Sequence, residues 1–422
     1  MSATIEADVM VVGAGPAGLA AAARAAEAGR RVVLVDAAPA PGGQIWRHRT
    51  GALAPADARP WIGRCERAGV RTLAGAEVVD ALPGHSLTVV MRGEATLVRA
   101  PAFVLATGAR ELFLPFPGWT LPGVLGAGGL QALVKGGLAV RGKRVVLAGS
   151  GPLLLPVAAS LSREGARLVI VAEQTPPAAL RTFTGSLWRS PSRIVMAAAL
   201  RAAFAATPYR AGVWVTRAEG DAHLREVTLT DGARTWREPC ALLACGYGLI
   251  PSTELALLLG CGVARGAITV DARQATTVPT VFAAGECTGI GGAPLSVVEG
   301  EIAGLAAAGG REIPRELLAR RESERAFAAR VAEAFALRAE LRALAAPDTI
   351  LCRCEDVMGG AVANAHDARE AKLHSRAGMG ACQGRICGAA LQHLRGWDPP
   401  APRPPLFPAP VSALAAGDAH GS

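Results

Sequence analysis

The segment Gly13-Ala-Gly15-Pro-Ala-Gly18 constrains this 422-residue chain more than any other. It stands between an apolar run, Asp8 to Val12, and an Ala-rich stretch ending at Gly29, after which a second apolar run spans Arg31 to Val35. The pattern predicts a strand, a tight turn, a helix and a strand. Gly13 permits the turn, Gly15 lets the backbone approach a pyrophosphate, and Gly18 lets the helix pack closely on the strand. The helix N-terminus then faces the phosphate charge. Asp36 ends the second strand, where a carboxylate takes ribose hydroxyls. Glycine spacing alone is weak evidence, but framed by two strands, a helix and a terminal acid it specifies a bound dinucleotide.

A second such pattern follows. Arg144 to Ala148 reads as a strand, Gly149-Ser-Gly151-Pro-Leu-Leu154 as the turn, an apolar helix runs to about Glu164, and a strand from Leu168 to Ala172 is capped by Glu173. Leu154 stands where the third glycine belongs, so the helix is expected to sit farther from the strand and to distort the phosphate pocket. Gly149, Gly151 and Glu173 therefore mark either a second nucleotide site, for NAD or another nucleotide, or a purely structural domain. Glu173 suits the NAD ribose and repels the extra phosphate of NADP.

Farther along, Thr277 to Glu286 reads as a strand ending in Gly285-Glu286, followed by a glycine-rich loop and a helix from Ala293. Such a strand end sets an acid on a flavin's ribityl hydroxyls and a helix N-terminus near its pyrimidine ring. Together with Val104-Leu-Ala-Thr107-Gly108 and Pro41-Gly42-Gly43-Gln44, these motifs resemble the two-dinucleotide flavoproteins of the pyridine nucleotide-disulfide oxidoreductase type, over about residues 5–310. The resemblance implies FAD held at Gly13, Gly15, Gly18, Asp36, Gly43, Gln44, Thr107, Gly108, Gly285 and Glu286. The family's closing acid is usually Asp, so Glu286 is a departure. The family's redox disulfide is missing, since no Cys pair follows Gln44 and no Cys-x-x-Cys lies in the second nucleotide pattern. Disulfide reduction is not the expected reaction.

Of 9 cysteines, four gather near the C-terminus: Cys352 and Cys354, then Cys382 and Cys387. Four thiolates hold either zinc or a 2Fe-2S cluster. Neither Cys-x-Cys nor Cys-x-x-x-x-Cys suits a zinc knuckle, and the flavin context favours 2Fe-2S. Val357 to Leu373 has helical spacing that would fold the pairs together, and Gly378, Gly380 and Gly384 free backbone N–H groups to reach sulfur. Cys65, Cys240, Cys245, Cys261 and Cys287 are scattered and read as small buried apolar residues.

The runs Thr107-Gly-Ala-Arg-Glu-Leu, Leu114-Pro-Phe-Pro-Gly-Trp, Gly126-Ala-Gly-Gly-Leu-Gln-Ala and Gly378-Met-Gly-Ala-Cys-Gln-Gly-Arg-Ile-Cys are similar to the alpha subunit of heteromeric amine dehydrogenases, among them opine oxidase, hydroxyproline dehydrogenase and hydrogen cyanide synthase. This resemblance implies that a flavoprotein of the D-amino-acid oxidase type, the beta subunit, oxidises the amine while this chain relays electrons. It also implies a C-terminal module like bacterioferritin-associated ferredoxin (BFD), and a small ferredoxin-like partner subunit. A self-contained NADH-dependent flavin and iron–sulfur reductase, and a redox-sensing scaffold, stay open as alternatives. No residue reads as a convincing general base, so catalytic residues are unassigned.

The expected fold class is α/β. Two Rossmann-like, three-layer ββα dinucleotide-binding domains precede a small helical BFD-like iron–sulfur domain. The first domain is discontinuous, 1–122 and 269–310, and holds FAD. The NAD(P)-binding-like domain spans 123–268, a helical linker 311–346, the 2Fe-2S domain 347–398 and a proline-rich extended tail 399–422. The excess of 44 Lys and Arg over 35 Asp and Glu is mostly dispersed Arg with no basic run among aromatics, which argues against a nucleic-acid partner. The N-terminus lacks a basic-then-apolar leader, predicting a cytoplasmic protein. The longest apolar stretch, Val145 to Leu161, is broken by glycine and proline and falls short of the roughly 20 residues of a membrane span.

Overall fold

In the computed structural model, which describes residues 4–82 and 84–418, the chain divides into two compact units. The first comprises 1–110, 250–328 and 401–422; the second, 111–249 and 329–400.

The first unit is built on a five-stranded parallel sheet with spatial order Val281–Ala283, Ala102–Leu105, Val9–Val12, Val32–Asp36, Arg71–Ala74. Its other four strands are apolar without alternation because both faces are covered, while the edge strand Arg71–Ala74 is partly polar and exposed. Val9 and Val11 face the helical layer with Leu34 and Val104, whereas Met10 and Val12 face the other side with Val33, Val35, Phe103 and Leu105. That other layer is a four-stranded sheet, Thr4–Glu6, Glu94–Arg99, Ser86–Met91, Ala76–Leu82 in spatial order, contributing Leu87, Val89 and Val98. The helical layer pairs Pro16–Glu27 with Gly292–Ala307. They meet through small residues: a Cβ on Gly300 would stand 2.1 Å from the Ala17 carbonyl oxygen, and one on Gly304 2.3 Å from that of Ala21. The result is the expected ββα sandwich.

The second unit repeats the parallel sheet, in the order Val124–Gly126, Leu242–Gly246, Arg144–Gly149, Arg167–Glu173, Tyr209–Ala211, with an antiparallel meander, Trp214–Gly220, Leu224–Thr230 and Thr235–Pro239. Helices Ala127–Lys135 and Leu154–Arg163 close its core.

Within the same unit, the cysteine segment has its own small core of Leu351, Cys352, Val357, Val362, Ala371, Ala377, Cys387 and Leu391. The single helix expected across 357–373 is broken. Val357–Met358 pairs as a strand with Ile350–Cys352, a short turn of helix covers Gly359–Val362, and the α-helix begins only at Ala368. The late start has a local cause. Asp367 accepts the N–H of Glu370 at 2.7 Å, and Glu370 accepts that of His366, the residue before the cap, at 2.7 Å, which fixes the N-terminus there.

The proline-rich end also differs from the free tail expected. Residues after 400 belong to the first unit: Leu406 is buried, its N–H donates to the Val79 carbonyl, and Val411–Asp418 is a helix against the strand Glu94–Arg99. Proline keeps this segment extended, but Leu406 and Phe407 give it an apolar anchor. Among the described residues, no helix is long and apolar enough to cross a membrane.

Candidate functional site

All the nucleotide motifs of the first unit lie past the C-terminal ends of its central strands, where parallel sheets bind ligands. Val9–Val12 leads into Gly13, whose φ of +104° and close approach to Ala106 exclude a side chain: a Cβ would stand 2.2 Å from the Ala106 oxygen. At Gly18 a Cβ would lie 1.7 Å from the Gly13 oxygen, so the helix rests directly on the turn. Gly15 is different. Its nearest neighbour on the Cβ side is the Gly43 Cα at 3.9 Å, so packing does not require glycine there, and the small residue keeps space open. Gly43 lies against Gly15 in turn, Gln44 is exposed beside it, and the Gly42 N–H donates to the Ala14 carbonyl at 2.7 Å. Asp36 accepts the N–H groups of Ala14 and Ala38 and stays partly exposed.

From the neighbouring strand, Thr107 donates its hydroxyl to the Ser252 carbonyl at 2.7 Å and Gly108 turns away with φ +69°. Past Val281–Ala283, Gly285 (φ +80°) packs against Ala17, and Glu286 accepts the Gly292 N–H at the start of the long helix. Burial pushes the Glu286 carboxyl above its ordinary range despite that hydrogen bond. Cys287 is fully buried and its thiol donates to the Leu105 and Ala284 carbonyls, with burial raising its pKa to about 11.

Sequence reasoning missed Glu299. Its buried carboxylate accepts the Gly285 N–H at 3.0 Å and the Thr288 hydroxyl at 2.9 Å, and pairs with Arg325 at 2.8 Å. Glu299 lies one turn of helix from Leu295 in a mostly apolar helix that also buries Glu301, and acids set among such apolar residues were the available signal.

The second turn looks alike and is filled differently. A Cβ on Gly149 would stand 2.1 Å from the Gly246 oxygen, as at Gly13. Leu154 takes the place of Gly18, but Gly246 takes the place of Ala106, and the Leu154 side chain is fully buried in the space so made. The helix here begins at Leu154, three residues after Gly151, whereas the first begins at Pro16, directly after Gly15. Glu173 is 0% exposed: it accepts the N–H groups of Gly151 at 2.8 Å and Thr175 at 2.9 Å.

The four C-terminal cysteines converge as two pairs. Cys354 and Cys382 lie 3.7 Å apart, sulfur to sulfur, and Cys387 sits buried beside Cys352. Among the described residues, no three or more His, Cys, Asp or Glu side chains are arranged around one metal-ion position. Burial opposes ionisation of Cys382, yet N–H groups of Ile386, Gly384 and Arg385 together with the Cys354 thiol hold its pKa below the ordinary thiol value. Burial, then the neighbouring Cys352, pushes Cys387 up to about 12. Gly380 makes room for this arrangement, since a Cβ there would stand 2.3 Å from that of Cys354. None of the nine cysteines is joined in a disulfide.

Two doubly covered parallel sheets, with phosphate-approach glycines and a flavin-type strand end on the first, define an FAD-dependent oxidoreductase. The chain belongs to the pyridine nucleotide-disulphide oxidoreductase family, whose sequence pattern matches residues 7–309. It is 33% identical to the hydrogen cyanide synthase subunit HcnB of Pseudomonas aeruginosa, over 96% of this chain and 97% of that one. With the A subunit of opine oxidase from Rhizobium meliloti it shares 34% identity, over 92% of each. In fold it is similar to the L-proline dehydrogenase of P. horikoshii, with a TM-score of 0.71 at 19% identity, covering 98% of this chain and 80% of that one. The thioredoxin reductase of T. acidophilum overlays 72% of this chain and 98% of its own, with a TM-score of 0.56 at 23% identity.

Proposed function

We propose that this chain is the electron-transfer subunit of a heteromeric dehydrogenase acting on an amino acid, imino acid or opine. In this reading a partner flavoprotein subunit oxidises the amine, and electrons pass through FAD and a 2Fe-2S cluster on this chain to an acceptor. The observation that carries it is the pairing of Cys354 with Cys382 and of Cys352 with Cys387 on a chain that also carries the FAD turn. A tetrahedral centre with metal–sulfur bonds of about 2.3 Å sets its sulfurs about 3.8 Å apart, close to the 3.7 Å between Cys354 and Cys382. A two-iron cluster takes its thiolates two per iron, which suits pairs better than one four-sulfur cage.

When bound, the flavin supplies two-electron exchange and the cluster one-electron transfer. The chain's own residues do the rest. Gly13, Gly15 and Gly18 would admit the pyrophosphate to a helix N-terminus, Asp36 would offer its remaining lone pairs to ribose, and Glu286 would meet the ribityl hydroxyls. Gly43, Gln44, Thr107, Gly108 and Gly285 shape the surrounding loops. Cys352, Cys354, Cys382 and Cys387 would hold the cluster, with the Ile386, Gly384 and Arg385 N–H groups stabilising sulfur charge and so tuning its potential. The names of the two relatives above, both of them subunits, support a partner, for which we take a D-amino-acid-oxidase-like flavoprotein and a small ferredoxin-like protein.

The test is to purify the chain alone and with the products of neighbouring genes, under anaerobic conditions. Flavin absorbance, iron and acid-labile sulfide near two per chain, and dye reduction by an amine only in the complex are expected. Amine oxidation by the isolated chain would overturn the division of labour. Zinc in place of iron would overturn the cluster.

A further inference from the structure

We infer that the second dinucleotide fold is occupied by the chain's own residues Phe335 to Arg338, and that this excludes NADH and NADPH as electron donors to the flavin. The inference goes beyond the reading above and stands whether or not the cysteine pairs hold a cluster.

The groups that a nucleotide would contact in this fold are engaged by that segment. The Ser150 hydroxyl, in the middle of the turn, donates to the Phe335 carbonyl at 2.9 Å. Gln174, which directly follows the ribose-position acid Glu173, donates from its amide nitrogen to the Ala336 carbonyl at 3.2 Å and accepts the Arg338 N–H at 3.1 Å. The same nitrogen also reaches Ser150 at 2.9 Å, so turn, strand end and segment form one network. Gly151, the glycine that should admit the pyrophosphate, faces the Phe335 side chain instead: a Cβ on it would meet that side chain at 3.7 Å.

Two further contacts hold the segment. Phe335 packs edge-on against Phe183 at 5.0 Å between ring centroids, and the Arg338 guanidinium lies 3.7 Å over the Trp214 ring. Ordering a four-residue strip opposes its conformational entropy, and a half-buried aromatic ring, a cation–π contact and three side chain–backbone hydrogen bonds act against that cost.

The first unit provides the control. There the equivalent glycine, Gly15, meets only Gly43 at 3.9 Å, and the equivalent acid, Asp36, remains partly exposed. In the second unit Glu173 and Gln174 are each 0% exposed, and Gln174 is bonded to the segment, so no ribose hydroxyl reaches the Gln174 amide without displacing it. A nucleotide must supply that displacement from its own binding energy, which scales its apparent affinity down by the fraction of molecules in which the segment is open.

The test uses the holoprotein. NADH, NADPH and ATP, each at up to about 5 mM, are offered in equilibrium dialysis, anaerobic flavin absorbance is followed with the two reduced nucleotides, and hydrogen exchange is recorded with and without each. No binding, no flavin bleaching, and protection of the Gly151 and Arg338 amides comparable to that of the Arg144–Gly149 strand are expected. Binding of any nucleotide at micromolar concentration, or exchange of those amides at the rate of an exposed loop, overturns the proposal. A Ser150→Ala, Gln174→Ala double variant should speed exchange across 335–338 about tenfold or more. Unchanged exchange in that variant would show that these contacts do not hold the segment and would equally overturn it; should the variant fail to fold, the wild-type exchange and binding measurements decide alone.

Discussion

Glu173 accepts the backbone N–H of Gly151 at 2.8 Å from a position without solvent exposure, so the acid closing the second nucleotide strand is bonded to the turn that precedes it. Burial is the larger influence and pushes its carboxyl above the ordinary range, against the opposing pull of the Thr175 and Gly151 N–H groups. A raised carboxyl favours the neutral form in the fold. Its stabilising contribution is complete below the unfolded carboxyl range and is lost as pH rises through the raised value. Stability of the wild type in urea should therefore fall more steeply from about pH 4.5 to pH 8 than that of Glu173→Gln. Equal slopes in the two proteins would show that Glu173 does not titrate in that window.

Gly15 and Gly18 should respond differently to alanine. Gly15→Ala meets ordinary contacts and should fold with near wild-type stability while its flavin-to-protein ratio drops, because in the proposed function the added methyl would fill the pyrophosphate's space. Gly18→Ala places a methyl into the Gly13 carbonyl and should lose about 1–3 kcal/mol or more of stability. Absorbance at the flavin band, set beside denaturant midpoints, separates the two effects.

Gly300→Val should destabilise the first unit by a similar margin of about 1–3 kcal/mol, since the helix Gly292–Ala307 would have to retreat from Ala17. Thermal unfolding followed by circular dichroism reads this directly.

Cys354→Ser and Gly380→Ala should each bring iron and sulfide content down towards background while leaving bound flavin unchanged. The first removes a thiol, and the second pushes a methyl into the Cβ of Cys354. Flavin loss alongside iron would mean that the substitutions act by unfolding.

The scattered thiols should be unreactive in the folded protein. Burial raises Cys65 and Cys240 to about 12 and Cys287 to about 11, so thiolate is scarce at pH 8. A disulfide-exchange reagent should modify none of the three until denaturant is added.

The inner strands at Val9–Val12, Val32–Asp36, Arg144–Gly149 and Arg167–Glu173 were legible because they hold apolar runs beside glycine turns, whereas edge strands such as Arg71–Ala74 and Tyr209–Ala211 are short and partly polar and were not. Leu154 was legible as an anomaly but not as a solution. Its partner Gly246 lies far away in sequence, and only the fold shows one residue growing where the other shrinks. Glu299 and the segment at Phe335 were hidden for the same reason, since their hydrogen bonds join residues that no periodicity relates. The helix expected at 357–373 failed where local chemistry overrode periodicity, at the cap formed by Asp367 and Glu370.

The docking of Leu406 within the first unit has a consequence for the order of events in the cell. Synthesis begins that unit before the second and completes it after: its edge strand Val281–Ala283 emerges once the whole second parallel sheet has been made, and the Leu406 anchor only after the cysteine segment. Closure of the first unit's parallel sheet therefore waits on the ribosome's passage through the second, and fragments from translation interrupted before Val281 lack that edge strand.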